Sequence, residues 1–237
     1  MIDLLILAII SCIVAFFVVF FMTPPLIKFL EKRNFAVKDM NKKEDVMVVR
    51  PGGPAILVGI VASELVLYAF LQMNEILAIL ITTSAACVIG YVDDRKVMGG
   101  WFKPLALAIA AIPIIALGAY DTDLAFPLFG TVQIPVLYLA LIIFMIPITG
   151  NTINSIDVLN GVASGFMVIA SFSLSICLFI VQNYEIAIVS LPLGFVSLAF
   201  YKYHKVPSKI FPGDSGALTL GAMYGAIAIV GGVEIIA

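Results

Sequence analysis

The chain has 237 residues, of which 62% are hydrophobic and 12% charged, with a mean hydropathy of +1.16, far from the soluble balance of about half apolar and a quarter charged. It reads as an integral membrane protein with a single domain over residues 1–237 and no length left for a separate soluble domain. With 13 basic and 15 acidic residues the net charge is −2, so no overall field directs the chain to nucleic acid.

A spanning helix needs roughly 20 apolar residues. Breaking the apolar runs at polar, Pro and Gly clusters predicts eight spans, at residues 3–30, 53–71, 76–92, 104–119, 134–150, 162–182, 186–201 and 216–236. The expected fold class is all-α, a polytopic transmembrane bundle. The first run opens on Asp3, not on a basic segment, and is too long for a signal-peptide core, so it reads as a true span. Cys12, Cys87 and Cys177 are scattered through apolar runs and read as small buried hydrophobes. Glu64 falls mid-span, where a carboxyl is expected to face the bundle interior with a polar partner.

All 13 basic residues lie in or beside three connections: seven from Lys28 to Arg50, three from Arg95 to Lys103 and three from Lys202 to Lys209. Short cytoplasmic loops carry the Lys and Arg excess. An even number of spans separates the three connections, which places them all on the cytoplasmic side and the N-terminus outside. In a prokaryote that membrane is the plasma membrane. Counting also puts the connection Gly150 to Gly161, which has no basic residue, on that side, so the unusual polar residues gather on one face. Such a face suits an anionic substrate bound with a cation. Trp101 beside Phe102 reads as an interface anchor, and His204, in a basic loop, as a solvated or phosphate-contacting histidine.

Four motifs populate this face, each with an ordinary structural reading beside the chemical one. The loop Lys38-Asp39-Met40-Asn41-Lys42, followed by Arg50-Pro51-Gly52-Gly53, satisfies the charge rule, which explains its lysines but not its glycine pair. Asp93 and Asp94 end the third span, either as a solvated helix end or as two carboxylates serving different ligands. Asn151, Asn154 and Asp157 recur every three residues ahead of Asn160-Gly161; a helix cap needs only one such residue. Asp214, between glycines before the last span, is either a cap or an oxygen ligand of the kind Mg²⁺ takes.

Together, from about Lys38 to Gly225, these motifs resemble the polyprenyl-phosphate N-acetylhexosamine-1-phosphate transferases. The Lys-Asp-Met-Asn-Lys loop is closest to the eukaryotic and archaeal dolichyl-phosphate branch. The resemblance implies transfer of a sugar-1-phosphate, N-acetylglucosamine-1-phosphate in that branch, from a UDP-sugar to a polyprenyl phosphate. It implies catalytic roles for Asp93, Asp94 and Asp157, and substrate binding by Lys38, Asp39, Asn41, Lys42, Lys103, Asn151 and Asn160. Asn154 and Asp214 would hold Mg²⁺, with Mn²⁺ as the alternative ion. The expected partners are a UDP-sugar and a polyprenyl phosphate in the membrane, with a homodimer left open. Asn160 stands where the bacterial enzymes carry an aspartate, and the sequence stops at Ala237, before a late His-rich loop of the family. An inactive or partner-dependent relative, and a transporter or lipid-binding module, are the alternatives.

Overall fold

The computed structural model describes residues 2–39, 46–126 and 130–236. Chain order is α1 (Ile2–Lys32), β1 (Ala36–Lys38), β2 (Met47–Val49), α2 (Gly53–Leu71), α3 (Asn74–Arg95), α4 (Phe102–Ala110), α5 (Ile112–Ala116), β3 (Asp123–Phe126), β4 (Gly130–Gln133), α6 (Pro135–Ile156), α7 (Val162–Ile180), α8 (Tyr184–His204) and α9 (Gly213–Gly231). Among the described residues seven of these helices, α1, α2, α3, α6, α7, α8 and α9, are long and apolar enough to cross a membrane. Their lipid-facing sides are apolar as well, which is why the apolar runs marked them so closely. The chain is an all-α, polytopic, integral membrane protein.

The predicted fourth span, 104–119, is instead two short helices, α4 and α5. Pro113 cannot donate to the preceding turn and its ring crowds the carbonyl four residues back. At the break the bonding tightens to three-residue steps, Ala111 N–H to the Ala108 carbonyl at 3.2 Å and Ile114 N–H to the Ala111 carbonyl at 3.1 Å. The pair still traverses the bundle. It starts beside Lys103 and delivers Tyr120 to the far end, where its ring stacks on Tyr138 at 5.9 Å and the Tyr138 hydroxyl donates to the Ile229 carbonyl at 3.5 Å.

Two connections predicted as loops carry small antiparallel ribbons. In the first, Ala36 pairs with Val49 and Lys38 with Met47; Asn41 and Lys42, between the strands, lie outside the described residues. In the second, Asp123 pairs with Gln133 and Phe126 with Gly130. Val49 also bridges Ile210, and the Phe211 N–H donates to the Val49 carbonyl at 2.9 Å, so the first ribbon is tied to the segment ahead of α9.

The centre of the bundle is α9, which packs against α2, α3, α6 and α8. Its run of Gly, Ala, Ser and Thr removes side-chain bulk, and small residues are what allow helices in lipid to approach closely. Gly90 of α3 lies against the start of α9: a Cβ there would be 2.5 Å from the Ser215 Cα and 2.6 Å from the Asp214 carbonyl oxygen. The glycine pair that the charge rule leaves unexplained has the same cause, since a Cβ on Gly53 would meet the Gly216 nitrogen at 2.6 Å. Both contacts serve to seat the start of α9 among the ends of α2 and α3.

Cys12 and Cys87 are buried and Cys177 is partly so, all free, and Trp101 is 92% exposed, as the sequence suggests. Glu64 faces inward as expected, but neither of its oxygens has a hydrogen-bond partner among the described residues, so the expected polar partner is not there.

Candidate active site

The C-terminal ends of α3, α6 and α8 and the N-terminal ends of α2, α4, α7 and α9 meet at one end of the bundle, with the β1–β2 ribbon over them. Asp214, in the first turn of α9, is the hub. Its Oδ1 accepts from the Asn154 Nδ2 at 2.9 Å and pairs with the Lys103 ammonium. Lys103 also reaches the Asp93 Oδ2 at 2.8 Å, while the Asp93 Oδ1 accepts from the Met98 N–H at 2.5 Å. One lysine thus bridges carboxylates from two helices, and charge-assisted bonds of this kind are the strong ones.

The two neighbouring aspartates of α3 do different work, as a rotation of about 100° per residue demands. Asp93 faces Lys103. Asp94 turns to α9 and accepts from the backbone N–H groups of Asp214 at 3.0 Å and Ser215 at 2.9 Å. An acidic side chain on free N–H groups at the positive end of a helix is a stabilising arrangement. Asp94 therefore holds Asp214 in place, and it is not part of the cavity wall.

A cavity of about 350 Å³ opens beside this cluster, and its wall includes Lys38, Asp39, Asn154, Asp157, Asn160 and Asp214 from the sequence-predicted set. Asn160 Nδ2 donates to the Asp39 Oδ2 at 2.8 Å, joining the ribbon to the α6–α7 connection across 121 residues of sequence. Asp157 follows the last residue of α6. Burial first and the charge of Asp214 second push its carboxyl up to about 7, against a backbone hydrogen bond from Ala163 that lowers it. Its Oδ1 is buried with no hydrogen-bond partner and lies 3.4 Å from the His204 Nε2, longer than an ordinary hydrogen bond, and burial keeps that imidazole neutral.

Three sequence-based assignments need correction or completion. Asn151 does not join the cavity: its Nδ2 donates to the Pro147 carbonyl one turn back at 2.8 Å. His204 is not a solvated loop residue but 1% exposed, at the end of α8. A spacing of four residues from Phe200, along the buried line of Leu193, Val196 and Ser197, was the signal that could have placed it. Arg50, which the sequence places only in the basic loop, lines the cavity, brought there by the β1–β2 ribbon that also carries Lys38.

Asp214 and Asn154 offer carboxylate and amide oxygens, and the Asn154 oxygen is not used in the bond between them. Mg²⁺ takes hard oxygen donors, commonly one or two carboxylates with water and substrate phosphate completing its shell. With the Asp157 carboxyl on the same wall, these residues fit such an ion.

The profile of glycosyl transferase family 4 matches residues 76–232. A Saccharolobus solfataricus protein, provisionally named UDP-N-acetylglucosamine–dolichyl-phosphate N-acetylglucosaminephosphotransferase, is 28% identical over 224 residues, covering 92% of this chain and 70% of that protein. The phospho-N-acetylmuramoyl-pentapeptide-transferase of Streptococcus suis is 30% identical over 241 residues, covering 94% of this chain and 72% of that one. The Staphylococcus aureus protein of the same name is 28% identical over 239 residues, covering 92% and 74%. The matched stretch runs from α3 through α9 and so contains Asp93, Lys103, Asn154, Asp157 and Asp214, the residues that meet at one end of the bundle: the chain belongs to glycosyl transferase family 4.

Proposed function

We propose that the chain transfers N-acetylglucosamine-1-phosphate from UDP-N-acetylglucosamine to a polyprenyl phosphate in the membrane. An oxygen of the lipid phosphate attacks the sugar-linked phosphorus of the donor, and the bond to UMP breaks. The products are a polyprenyl-diphosphate sugar and UMP. The observation that carries this reading is the meeting of Lys103, Asp93, Asn154 and Asp214 beside a charged cavity at one end of an apolar bundle. Both reactants are anionic, so positioning and charge neutralisation do most of the catalytic work. Lys103, Lys38 and Arg50 supply positive charge around the site.

Mg²⁺ on Asp214 and Asn154, or Mn²⁺ in its place, would clamp the phosphate oxygens and neutralise their charge. A phosphate monoester has a second pKa of about 6, so the acceptor is largely a dianion at neutral pH and a strong base is not required. Asp93 orients Lys103, Asp94 holds the start of α9, and Asp157 faces the substrates from the cavity wall. The Lys and Arg distribution supports a cytoplasmic active face and, in a prokaryote, the plasma membrane. A transporter would carry its coupling residues near mid-membrane; among the described residues Glu64 is the one buried charged side chain away from this end of the bundle.

The test is purified protein with Mg²⁺, polyprenyl phosphate and labelled nucleotide sugars. UMP release with transfer of label from UDP-N-acetylglucosamine to lipid is the expected result. No transfer from any donor would overturn the proposal in favour of an inactive or partner-dependent relative.

Asp157 adds a pH dependence of definite sign. Its carboxyl is raised partly by the charge of Asp214, and it gives up its proton more readily once that charge is neutralised. Below about pH 7 the site must release this proton as it accepts a divalent cation. The Mg²⁺ concentration for half-maximal turnover should therefore rise as pH falls from 8 to 6, and Asp157→Asn should flatten that dependence.

A further inference from the structure

His204 is the one histidine of the chain, and burial obliges its polar atoms to find partners. Its Nδ1 lies 2.9 Å from the Ser164 Oγ, itself fully buried in the first turn of α7. Its Nε2 faces the Asp157 Oδ1 at 3.4 Å. The ring is held between Phe200, with centroids 5.8 Å apart, and Phe211, edge-on at 6.3 Å. Three helix ends, those of α6, α7 and α8, are therefore joined in one serine–histidine–aspartate line that stops at the cavity wall.

The line has a direction. Where Asp157 is ionised, as at pH 8, a proton on Nδ1 would leave the Nε2 lone pair pointing at a carboxylate oxygen, which is repulsive. With the Ser164 hydroxyl donating to Nδ1, the proton sits on Nε2 and faces Asp157. A ring nitrogen's partner fixes which tautomer is present, and Ser164 is that partner. Asp157 lies beyond the end of α6, where no helical bond fixes its side chain, and apart from the Ala163 N–H its neighbour on the inner side is His204. Long contacts of this kind often tighten when substrate binds.

We infer that Ser164 and His204 are a positioning pair: Ser164 sets the tautomer and orientation of His204, and His204 aims the Asp157 carboxylate into the cavity that receives the donor. The inference rests on the proposed transferase reading. Ser164 lies behind the cavity wall and the His204 ring reaches that wall beside Asp157; a positioning pair acts through Asp157, and that dependence is measurable.

The experiment is a double-mutant cycle, which isolates the coupling between two sites. His204→Gln, Asp157→Asn and the double variant are compared with the unmodified chain at pH 8, where the acceptor is a dianion. Turnover and calorimetric binding of UDP-N-acetylglucosamine with Mg²⁺ are both read. In the otherwise unmodified chain His204→Gln should lower kcat/KM by about 10- to 100-fold, the usual size for loss of an outer partner. In the Asp157→Asn background it should change kcat/KM, or the binding constant where turnover is too low, by less than about threefold. Equal losses in both backgrounds would overturn the inference and make His204 a packing residue. If thermal denaturation shows that His204→Gln fails to fold, Ser164→Ala, which leaves ring and carboxylate in place, runs the same cycle. An unmodified chain that neither turns over nor binds the nucleotide sugar would sink the transferase reading itself, whereas an active chain with additive losses sinks the positioning pair alone.

Discussion

Asp214→Asn should lower kcat/KM by at least about 10³-fold, roughly 4 kcal/mol of transition-state stabilisation, while the protein still inserts and unfolds at nearly its original temperature. The near-isosteric amide keeps the packing, and asparagine serves as well as aspartate at a helix start. What it removes is the charge on which the site converges. Asp214 Oδ1 accepts from Asn154 and pairs with Lys103, so neutralising it loosens the lysine and leaves the proposed Mg²⁺ without its carboxylate. An amide also presents donor hydrogens toward groups that are themselves donors. Steady-state kinetics with Mg²⁺ titration and a melting curve separate the outcomes. Unchanged kcat/KM would reduce Asp214 to a helix-start residue.

Gly90→Ala should cost both fold and rate, although the one methyl group it adds faces the backbone of Asp214 and Ser215 and not the cavity. The new Cβ would meet the Ser215 Cα at 2.5 Å and the Ser215 nitrogen at 2.6 Å, and backbone atoms cannot rotate away as a side chain can. The helices α3 and α9 must part instead. Overpacking of this kind costs about 1 to 3 kcal/mol. The same displacement pulls Asp94 from the start of α9, and a misplacement of about 1 Å can cost 10²-fold in rate. A lowered melting temperature together with about a 100-fold loss of kcat is expected. Gly99→Ala, where a Cβ meets nothing within 4 Å, is the matched control with little effect on either.

Seven helices were legible because lipid imposes one rule, apolarity over a fixed length, that writes itself into every span. The motif at Asp93, Asn154 and Asp214 was legible for a related reason: polar residues at the membrane edge stand out against apolar runs. Packing left weaker marks. That Asp93 and Asp94 would divide into a lysine partner and a helix anchor depends on which neighbour each meets, and α9 is over a hundred residues away. Three-residue strands such as Ala36–Lys38 are too short to show alternation. His204 was misplaced because the basic residues around it suggested a loop, when α8 continues through Tyr203 and turns the ring inward. Asn151 keeps the family spacing, yet its amide donates within its own helix, to the Pro147 carbonyl.

The short fourth pass bears on where the lipid surface lies. From Phe102 to Ala116 it has 15 residues, about 22 Å of helix at 1.5 Å per residue, against a hydrocarbon layer of about 30 Å. A segment shorter than the bilayer is accommodated by local thinning or by drawing flanking residues toward the acyl chains. Lys103 is the second residue of that segment, with Trp101 and Phe102 exposed beside it. Hydrophobic mismatch would then dip the headgroup plane at α4, so that a phosphate carried on a long isoprenoid tail travels at the depth of the lysine and needs no lifting out of the leaflet to reach it.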